Sequence, residues 1–341
     1  MKCRALIVPR HRGEATRRTL AESGWLRTDL AIRAEGDHLL LPLTDGAPPS
    51  PRDDSRVEER EFEAVSPAGP REYRDLLDWP EPIKDALPRS FDVIGDIVVI
   101  RLPPELEVRR EEVGRALLRF VSGTRVVGSD HGVHGPERRR RVERIAGSGD
   151  FSTRHRENHL EFDVDLERAY FSPRLAREHA AVAEQVRHGD RVLDLCCGVG
   201  PFSVTIARDG RAERVTAVDS NPDAIALLRS TLARYPFGRV VTPVVSRVEE
   251  FLPSTEPVER VVLNLPHEGI KYLPLVGPAV RPHGRVYYYE VVPRTEVEER
   301  TEEVVSSLRP ATGWKVADSH VVHPYSPLSD LRAFTLERSG E

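Results

Sequence analysis

A glycine turn between an apolar strand and a helix constrains this chain more than any other stretch. Residues 191–195 read RVLDL, Gly198 and Gly200 follow, and Pro201 stands where a helix would begin. Proline is favoured at the first helical position, and a helix N-terminus at such a turn can receive the polar end of a nucleotide. The stretch therefore predicts an open α/β sheet whose strand ends face an adenosine-containing cofactor.

The residues around the turn distinguish between possible cofactors. A dinucleotide fingerprint would place its third glycine at position 203, where the chain has Ser203. Asp219 lies 19 residues beyond Gly200, at the end of the next predicted strand, where an acid can hold ribose hydroxyls. With Asp194 just before the turn, this pattern favours S-adenosyl-L-methionine over NAD. It indicates a class I methyltransferase rather than a dehydrogenase.

Changes in pattern divide the chain into four parts. Residues 169–341 alternate helix and strand, which predicts an open, mainly parallel sheet. Residues 75–168 predict an α+β domain with an arginine-rich hairpin, opening with a helical stretch at 73–87. Residues 1–45 predict a small α/β module, and the Pro-rich, charged residues 46–74 predict a flexible linker.

Composition excludes several classes of protein. No apolar run approaches the roughly 18–20 residues of a membrane span, and the N-terminus is a poor secretory signal, so we expect a cytoplasmic protein. The three cysteines and scattered histidines form neither a disulfide framework nor a metal-binding pattern. The net charge is −5, yet residues 136–156 carry +4. This strip is either a phosphate contact or a solvated hairpin.

A second polar motif ends the fourth strand of the predicted sheet. It reads Asn264-Leu265-Pro266-His267, and an asparagine there has both a carbonyl and an NH2 group with which to orient a planar base. Methylation of a ring N–H also needs a proton acceptor within hydrogen-bond reach. Glu178, on the helix that enters the cofactor domain, is the best candidate from context, although a helix glutamate is commonly only solvated.

These motifs, in this order, resemble one family over nearly the whole chain: the archaeal and eukaryotic tRNA guanosine-37 N1-methyltransferases, often called Trm five. The pieces that carry the resemblance are LPRSFDVIGDI (87–97), HREN (155–158), YFSPRL (170–175), the GVGPF turn (198–202), DSNP (219–222), NLP (264–266) and YSP (325–327).

The resemblance implies a class I (Rossmann-like) methyltransferase domain, a preceding α+β RNA-binding domain and an N-terminal module that contacts the outer corner of tRNA. Glu178 would be the general base, and Asn264 would lie beside the target guanine of the anticodon loop. Arg138 would hold guanine O6, with Arg139 as the alternative in the same arginine run. We expect a monomer that binds tRNA, and neither DNA nor a membrane.

Further site residues follow from the same resemblance. Those implied to bind S-adenosyl-L-methionine are Asp194, Gly198, Gly200, Pro201, Phe202, Asp219, Asn221 and Asn264. Those implied to bind substrate are Arg138, Arg139, Tyr170, Arg174 and Pro266.

The chain also departs from the family pattern. Cys196-Cys197 replace an aromatic residue and an alanine, His179 stands where arginine is common, and Arg247 replaces an acid that meets the adenine. Glu249 is the nearest acid that could substitute. The alternative function is a wybutosine-pathway enzyme on the same fold, which transfers an aminocarboxypropyl group or also methylates a tricyclic guanosine intermediate. A tRNA-binding protein with a vestigial cofactor fold is the rival from another class.

Overall fold

The computed structural model describes residues 1–48, 55–64, 69–135, 139–308 and 313–340. The chain divides into two compact units, Met1–Arg71 and Glu72–Glu341. Each unit has its own apolar core. In the described ranges, no helix combines the length and apolar character that crossing a bilayer requires.

The N-terminal unit is a helix packed on an antiparallel sheet of order β2-β3-β1-β4. Helix and sheet approach closely at Gly13, where a Cβ would lie 2.1 Å from Leu39 Cδ1, so a side chain here would displace the end of Leu39. The elements are β1 (Lys2–Pro9), α1 (Arg10–Glu22), β2 (Arg33–Glu35), β3 (His38–Pro42) and β4 (Arg56–Glu61).

Strand β4 corrects the predicted linker. Residues 56–61 were assigned to a flexible segment because of their charge, but they pair with β1 along its length, from Lys2 opposite Glu61 to Ile7 opposite Arg56. Charged side chains are usual on an edge strand, where they discourage pairing with other chains. The sequence RVEERE is therefore an edge strand with Val57 turned towards the core. Residues 49–54 and 65–68 of the predicted linker lie outside the described residues.

The first part of the C-terminal unit is α+β. Its sheet has the order β5-β6-β7-β8, and β9 and β10 form a separate hairpin. The elements are α2 (Glu81–Asp85), β5 (Asp92–Ile94), β6 (Ile97–Ile100), α3 (Arg110–Phe120), β7 (Val126–His134), β8 (Arg139–Gly147), β9 (Ser152–Glu157) and β10 (Leu160–Asp165).

The predicted continuous helical stretch at 73–87 is wrong. The chain makes one 3-10 turn at Tyr73–Leu76, runs extended, and forms the short helix α2 only after Pro80. Proline lacks an N–H and restricts the residue before it to extended conformations, which separates the two pieces.

The second part carries a mixed sheet of order β13-β12-β11-β14-β15-β17-β16. Its first five strands are parallel, whereas β17 is antiparallel to both of its neighbours. The elements are α4 (Ala176–Gln185), β11 (Arg191–Leu195), α5 (Pro201–Arg208), β12 (Arg214–Asp219), α6 (Pro222–Leu232), β13 (Val241–Val245), α7 (Val248–Phe251), β14 (Val258–Asn264), α8 (Leu273–Val276), β15 (Val280–Pro293), α9 (Val297–Ser307), β16 (Trp314–Pro324) and β17 (Ser329–Arg338).

This sheet confirms the predicted α/β, Rossmann-like fold. The chain runs outward from β11 to β13 and then returns to place β14 on the other side of β11. Such a reversal opens a crevice at the carboxyl ends of the strands, where ligands bind in open α/β sheets. The glycine turn follows β11 and Asn264 ends β14, so both predicted motifs lie at this edge.

Candidate active site

The glycine turn is held in shape by Asp219. The Gly198 N–H donates to Asp219 Oδ2 at 2.8 Å, and the Asn221 N–H donates to Oδ1 at 2.9 Å. The carboxylate thus ties the ends of β11 and β12 together, and each of its oxygens can accept further hydrogen bonds. This contact brings two predicted cofactor residues, Gly198 and Asp219, side by side.

Two glycines make the turn open enough to receive a ligand. Gly198 (φ 56°) and Gly200 (φ 79°) both adopt left-handed backbone conformations that favour glycine. A Cβ on Gly200 would lie 2.4 Å from Leu228 Cδ1, whereas one on Gly198 would meet, among the residues described, only the Tyr170 carbonyl within 4 Å, at 3.7 Å. The space over Gly198 is therefore free for a bound group, and the turn fits the cofactor that the sequence predicts.

Cys196 shares this unusual backbone. Its φ is 60°, which is strained for a residue with a side chain and costs on the order of 1 kcal/mol. Burial raises the pKa of the Cys196 thiol and, still more, that of Cys197. Both cysteines are therefore neutral packing groups in the turn.

Asp194 supports the turn from beneath. The side chain is fully buried, and its Oδ2 accepts hydrogen bonds from the Ser203 hydroxyl at 2.6 Å and the Ser203 N–H at 3.1 Å. Burial raises the pKa of Asp194 to about 7, even though the Ser203 bonds favour the charged form. Asp194 thus fixes the first turn of α5, and Ser203, which the cofactor prediction did not include, is its partner.

Asn221 and Phe202 also act through packing. Asn221 is buried, its Oδ1 accepts from the Asp223 N–H that starts α6, and its Nδ2 donates to the Arg168 carbonyl. Phe202 follows Pro201 in the first turn of α5, and its ring packs in the core. Both predicted cofactor residues therefore shape the crevice with buried side chains.

Asn264 and Glu178 approach the crevice from different elements. Asn264 ends β14 opposite Tyr289 of β15, and the Tyr289 hydroxyl donates to Glu178 Oε2 on α4 at 3.1 Å. Among the described residues, the buried Asn264 Oδ1 has no hydrogen-bond partner. A buried acceptor without a partner is costly, so this oxygen is placed to accept from a ligand.

Glu178 has a second partner that the sequence did not suggest. His320 Nε2 lies 3.0 Å from Glu178 Oε1, and His320 Nδ1 lies 2.7 Å from Asp318 Oδ2. The Glu178 side chain is only 12% exposed, so its carboxylate is in contact with Tyr289 and His320 more than with solvent. Burial and the adjacent Glu178 carboxylate raise the pKa of Tyr289 far above its ordinary value, which keeps its hydroxyl protonated as a donor.

The loop after β14 is fixed by its backbone. The Pro266 carbonyl accepts from the Val291 N–H at 2.9 Å, which ties the NLP motif to β15. His267 Nε2 lies 3.1 Å from the Tyr325 hydroxyl, joining the NLP and YSP motifs. Two motifs far apart in sequence thus meet beside β15.

His179, beside Glu178 in sequence, lies on the other side of α4. It is buried, its Nδ1 lies 2.6 Å from Glu157 Oε1, and its ring meets Phe202 edge-on at 4.5 Å. Glu157 belongs to the HREN motif of β9. This pair joins the α+β part to the cofactor turn and explains why a histidine fits where arginine is common.

The arginines of the hairpin contact different partners. Arg139 Nη2 donates to Asp223 Oδ2 at 3.2 Å, on the first turn of α6. Arg140 is buried over the ring of Tyr170, at 5.2 Å from the ring centroid. Arg138, the predicted O6 ligand, lies outside the described residues.

Asp92 links the hairpin to the 3-10 turn Pro173–Leu175, which precedes the helix that carries Glu178. Its Oδ1 accepts from Arg174 Nε at 2.8 Å, and its Oδ2 lies 3.7 Å from Arg140 Nη1. Of the predicted substrate residues, Tyr170 and Arg174 are therefore held near each other by charges from β5 and β8. Tyr170 itself remains 41% exposed and can present its ring to a base.

Arg247, the departure from the family's adenine contact, is paired with its neighbour. Its Nε and Nη2 donate to Glu249 Oε1 at 2.8 and 2.6 Å. Glu249, the acid that we expect to substitute for the family's acid, is therefore held in place by Arg247.

Three family models match successive parts of the chain. Residues 153–316 match the model of the TRM5/TYW2 methyltransferase domain, residues 73–150 that of the TYW2 N-terminal domain, and residues 5–50 that of the tRNA methyltransferase 5 N-terminal domain. The chain is 33% identical to the tRNA (guanine(37)-N(1))-methyltransferase Trm5b of Pyrococcus abyssi over 95% of both proteins.

Solved structures agree in fold. The crystal structure of wild-type Trm5b from Pyrococcus abyssi superposes with a TM-score of 0.78 at 32% identity, covering 99% of both chains. The structure of a complex of aTrm5 and tRNALeu superposes with a TM-score of 0.72 at 27% identity, covering 98% of this chain and 99% of that one.

Proposed function

This chain belongs to the TRM5/TYW2 methyltransferase family, whose members use S-adenosyl-L-methionine, and we propose that it methylates N1 of guanosine 37, 3′ of the anticodon in tRNA. The observation that supports the proposal is that Tyr289 connects the two residues: it pairs with Asn264 across β14 and β15, and its hydroxyl donates to Glu178. A proton acceptor and a base-orienting amide are what N1 methylation of a guanine requires.

The cofactor would be held by the turn and by Asp219. The backbone of Gly198 and Gly200 leaves room for a bound group, and the Asp219 carboxylate retains lone pairs for ribose hydroxyls. When bound, S-adenosyl-L-methionine supplies an electrophilic methyl group. Arg247 and Glu249 form the polar pair that we assign to the adenine.

The protein's own residues then handle the base and its proton. Asn264 accepts from the guanine through its unpartnered Oδ1 and holds the ring beside the turn. Glu178 takes the N1 proton, and Arg138 stabilises the negative charge that develops on O6. The target nucleotide must leave its stack to reach this crevice, and the exposed ring of Tyr170 offers it a stacking surface.

The remaining parts of the chain would bind the rest of the tRNA. The arginine-rich hairpin supplies positive charge to an otherwise acidic protein, so we assign it to the anticodon stem and loop. We assign the N-terminal unit to the outer corner of the tRNA and expect the protein to act as a monomer.

The direct test is methyl transfer from methyl-labelled S-adenosyl-L-methionine to unmodified tRNA transcripts. We expect label in a transcript with G37 and none in the same transcript with A37. The Glu178→Gln variant should lose about 10²- to 10⁴-fold in rate, because it lacks the general base. Glu184→Gln, an exposed position on the same helix, is the matched control and should retain the full rate.

Two outcomes would overturn the proposal. Equal labelling of both transcripts would remove guanosine 37 as the target. Label that enters tRNA from the carboxyl carbon of the donor, but not from its methyl group, would indicate aminocarboxypropyl transfer instead.

A further inference from the structure

His320 connects the side chain of Glu178 to solvent. It lies on β16, an edge strand of the large sheet, and its side chain is 45% exposed whereas that of Glu178 is 12% exposed. Its two ring nitrogens are both engaged, Nε2 with Glu178 Oε1 at 3.0 Å and Nδ1 with Asp318 Oδ2 at 2.7 Å. A single imidazole therefore spans the distance from a buried carboxylate to an exposed one.

The orientation of the ring is set by Asp318. A carboxylate on Nδ1 favours the tautomer with hydrogen on Nδ1, which leaves the lone pair of Nε2 directed at Glu178. In the cationic form both nitrogens donate, and the ring then bonds to two carboxylates. His320 can thus face Glu178 either as a proton acceptor or as a positive charge.

A polar cavity lies around this contact. Its volume is about 200 Å³, and the polar side chains that line it include Glu178, Gln185, Arg285, Tyr287, Asp318 and His320. This volume can hold several water molecules, since one occupies roughly 30 Å³ in the liquid. A proton that leaves Glu178 through His320 would reach a polar space rather than the apolar core.

The charged groups around His320 come from four elements. Glu178 faces it from α4, and Asp318 from its own strand. Arg285 of β15 lines the same cavity but is neutralised by Glu337, at 2.7 Å. Arg332 of β17 donates to Ser319, the neighbour of His320 that points to the other face of the strand. The two nearest charges are therefore both negative.

These neighbours favour the cationic form of His320. Burial alone would lower the pKa of His320, but the hydrogen bonds to Glu178 and Asp318 outweigh it and raise the pKa above the ordinary value. The charge of the ring is therefore tied to the two carboxylates that it contacts.

We propose that His320, oriented by Asp318, is the residue through which Glu178 exchanges its proton with solvent, and that the charge of His320 sets the strength of Glu178 as a base. The proposal rests on the proposed function of Glu178. His320 acts through Glu178 and is a positioning residue, since nothing in the geometry places it on the substrate.

Methyl transfer releases one proton from the guanine to solvent. The N1–H bond of guanine breaks and its proton goes to Glu178, while the N1 electron pair forms the bond to the methyl carbon. The bond between that carbon and sulfur breaks, and its electron pair stays on sulfur. Glu178 Oε1 then passes the proton to the Nε2 lone pair of neutral His320, and the Nδ1 proton leaves to water in the cavity.

The expected effect of pH follows from charge. Cationic His320 stabilises the carboxylate of Glu178 and has no lone pair for a proton, so methyl transfer is slow. As pH rises through the pKa of His320 the ring becomes neutral, Glu178 binds a proton more strongly, and the rate increases. An opposite charge at hydrogen-bond distance changes proton affinity by about one unit or more, which corresponds to roughly tenfold.

The test is the single-turnover rate of methyl transfer to G37 tRNA, measured with the full-length protein from about pH 6 to about pH 8.5. We expect the ratio of the rate at the high-pH end to the rate at the low-pH end to be at least about threefold smaller in His320→Gln than in the wild type, because the glutamine amide keeps a hydrogen bond but does not titrate. Asp318→Asn should move the rise to lower pH. His323→Gln, on the same strand and bonded only to the Pro324 carbonyl in the described structure, should leave the profile unchanged.

A second readout does not depend on activity. In an NMR titration of the histidine rings, we expect the pKa of His320 to fall in Glu178→Gln relative to the wild type, with the His320 signal assigned by its loss in His320→Gln. An unchanged pKa would show that the two groups are not coupled and would overturn the proposal, as would a wild-type pH profile in an active His320→Gln variant. If the pKa of His320 falls as expected in Glu178→Gln but the wild type does not methylate G37 tRNA, the result would instead refute the proposed function.

Discussion

Asn264 and Tyr289 occupy matching positions on the neighbouring parallel strands β14 and β15, so their side chains lie on the same face of the sheet. Tyr289 in turn holds Glu178 through its hydroxyl. The sheet register therefore places the amide that we propose to orient the base next to the tyrosine that holds the proposed general base. Asn264 could lie opposite a residue other than Tyr289 only if the register of the two strands shifted.

Removal of the Asn264 amide should affect the reaction rather than the fold. Asn264→Ala deletes an oxygen that has no protein partner among the described residues, so we expect the thermal unfolding midpoint to stay close to that of the wild type. The kcat/KM for G37 tRNA should fall about 10- to 100-fold, which corresponds to one substrate hydrogen bond of roughly 1–3 kcal/mol. A loss of activity that only parallels a loss of folded protein would contradict this role.

Loss of the Tyr289 hydroxyl should change how methyl transfer depends on pH. Tyr289→Phe keeps the ring against Phe202, at a centroid distance of 5.4 Å, but removes a donor to the Glu178 carboxylate. The carboxylate then holds a proton more readily, so the pH of half-maximal rate should rise. Tyr288→Phe, which changes the adjacent tyrosine on the opposite face of the strand, should show the wild-type profile.

The two candidate arginines of the hairpin should differ in effect. Arg139 is engaged with Asp223, so Arg139→Ala should lower methyl transfer only modestly and mainly by loosening the hairpin. Arg138→Ala should lower the single-turnover rate about 10²- to 10³-fold, the usual loss when one donor to a developing oxyanion is removed. A larger loss for Arg139→Ala would assign the O6 contact to Arg139 instead. Comparable losses for both variants would contradict a distinct role for Arg138.

Asp194 should make the protein less stable as pH rises. Burial raises the pKa of Asp194 from its ordinary value of 3.8 to about 7, so between these values the folded state keeps a proton that the unfolded chain releases. The free energy of unfolding therefore decreases as pH rises through this window, by on the order of 4 kcal/mol for this group. Asp194→Asn cannot titrate, and thermal melts at about pH 5 and about pH 7.5 should differ less for this variant than for the wild type. Equal differences would contradict the assignment.

Local signals were sufficient to predict the sheet and its turn. Strands β11, β12 and β14 are apolar runs of residues that favour strands, and β12 and β14 end on the polar residues Asp219 and Asn264 at the crevice. Gly200 followed by Pro201 marks the start of α5 without any knowledge of tertiary contacts. Short-range chemistry therefore determined these elements.

The partners of Glu178 could not be predicted because they depend on long-range packing. His320 lies 142 residues from Glu178 and belongs to an edge strand whose exposed, polar residues give no clear alternation. Tyr289 is one of three consecutive tyrosines, and only the register of β15 decides which of them faces Glu178. Strand β4 escaped prediction for a related reason, since the charges that protect an edge resemble those of a linker.

The most direct test of the account is the identity and position of the methylated nucleoside after one turnover on an unmodified G37 tRNA. Nuclease digestion followed by mass spectrometry should find 1-methylguanosine, confined to position 37. A methyl group on the exocyclic N2 or on any other nucleotide would contradict the roles given to Glu178 and Asn264.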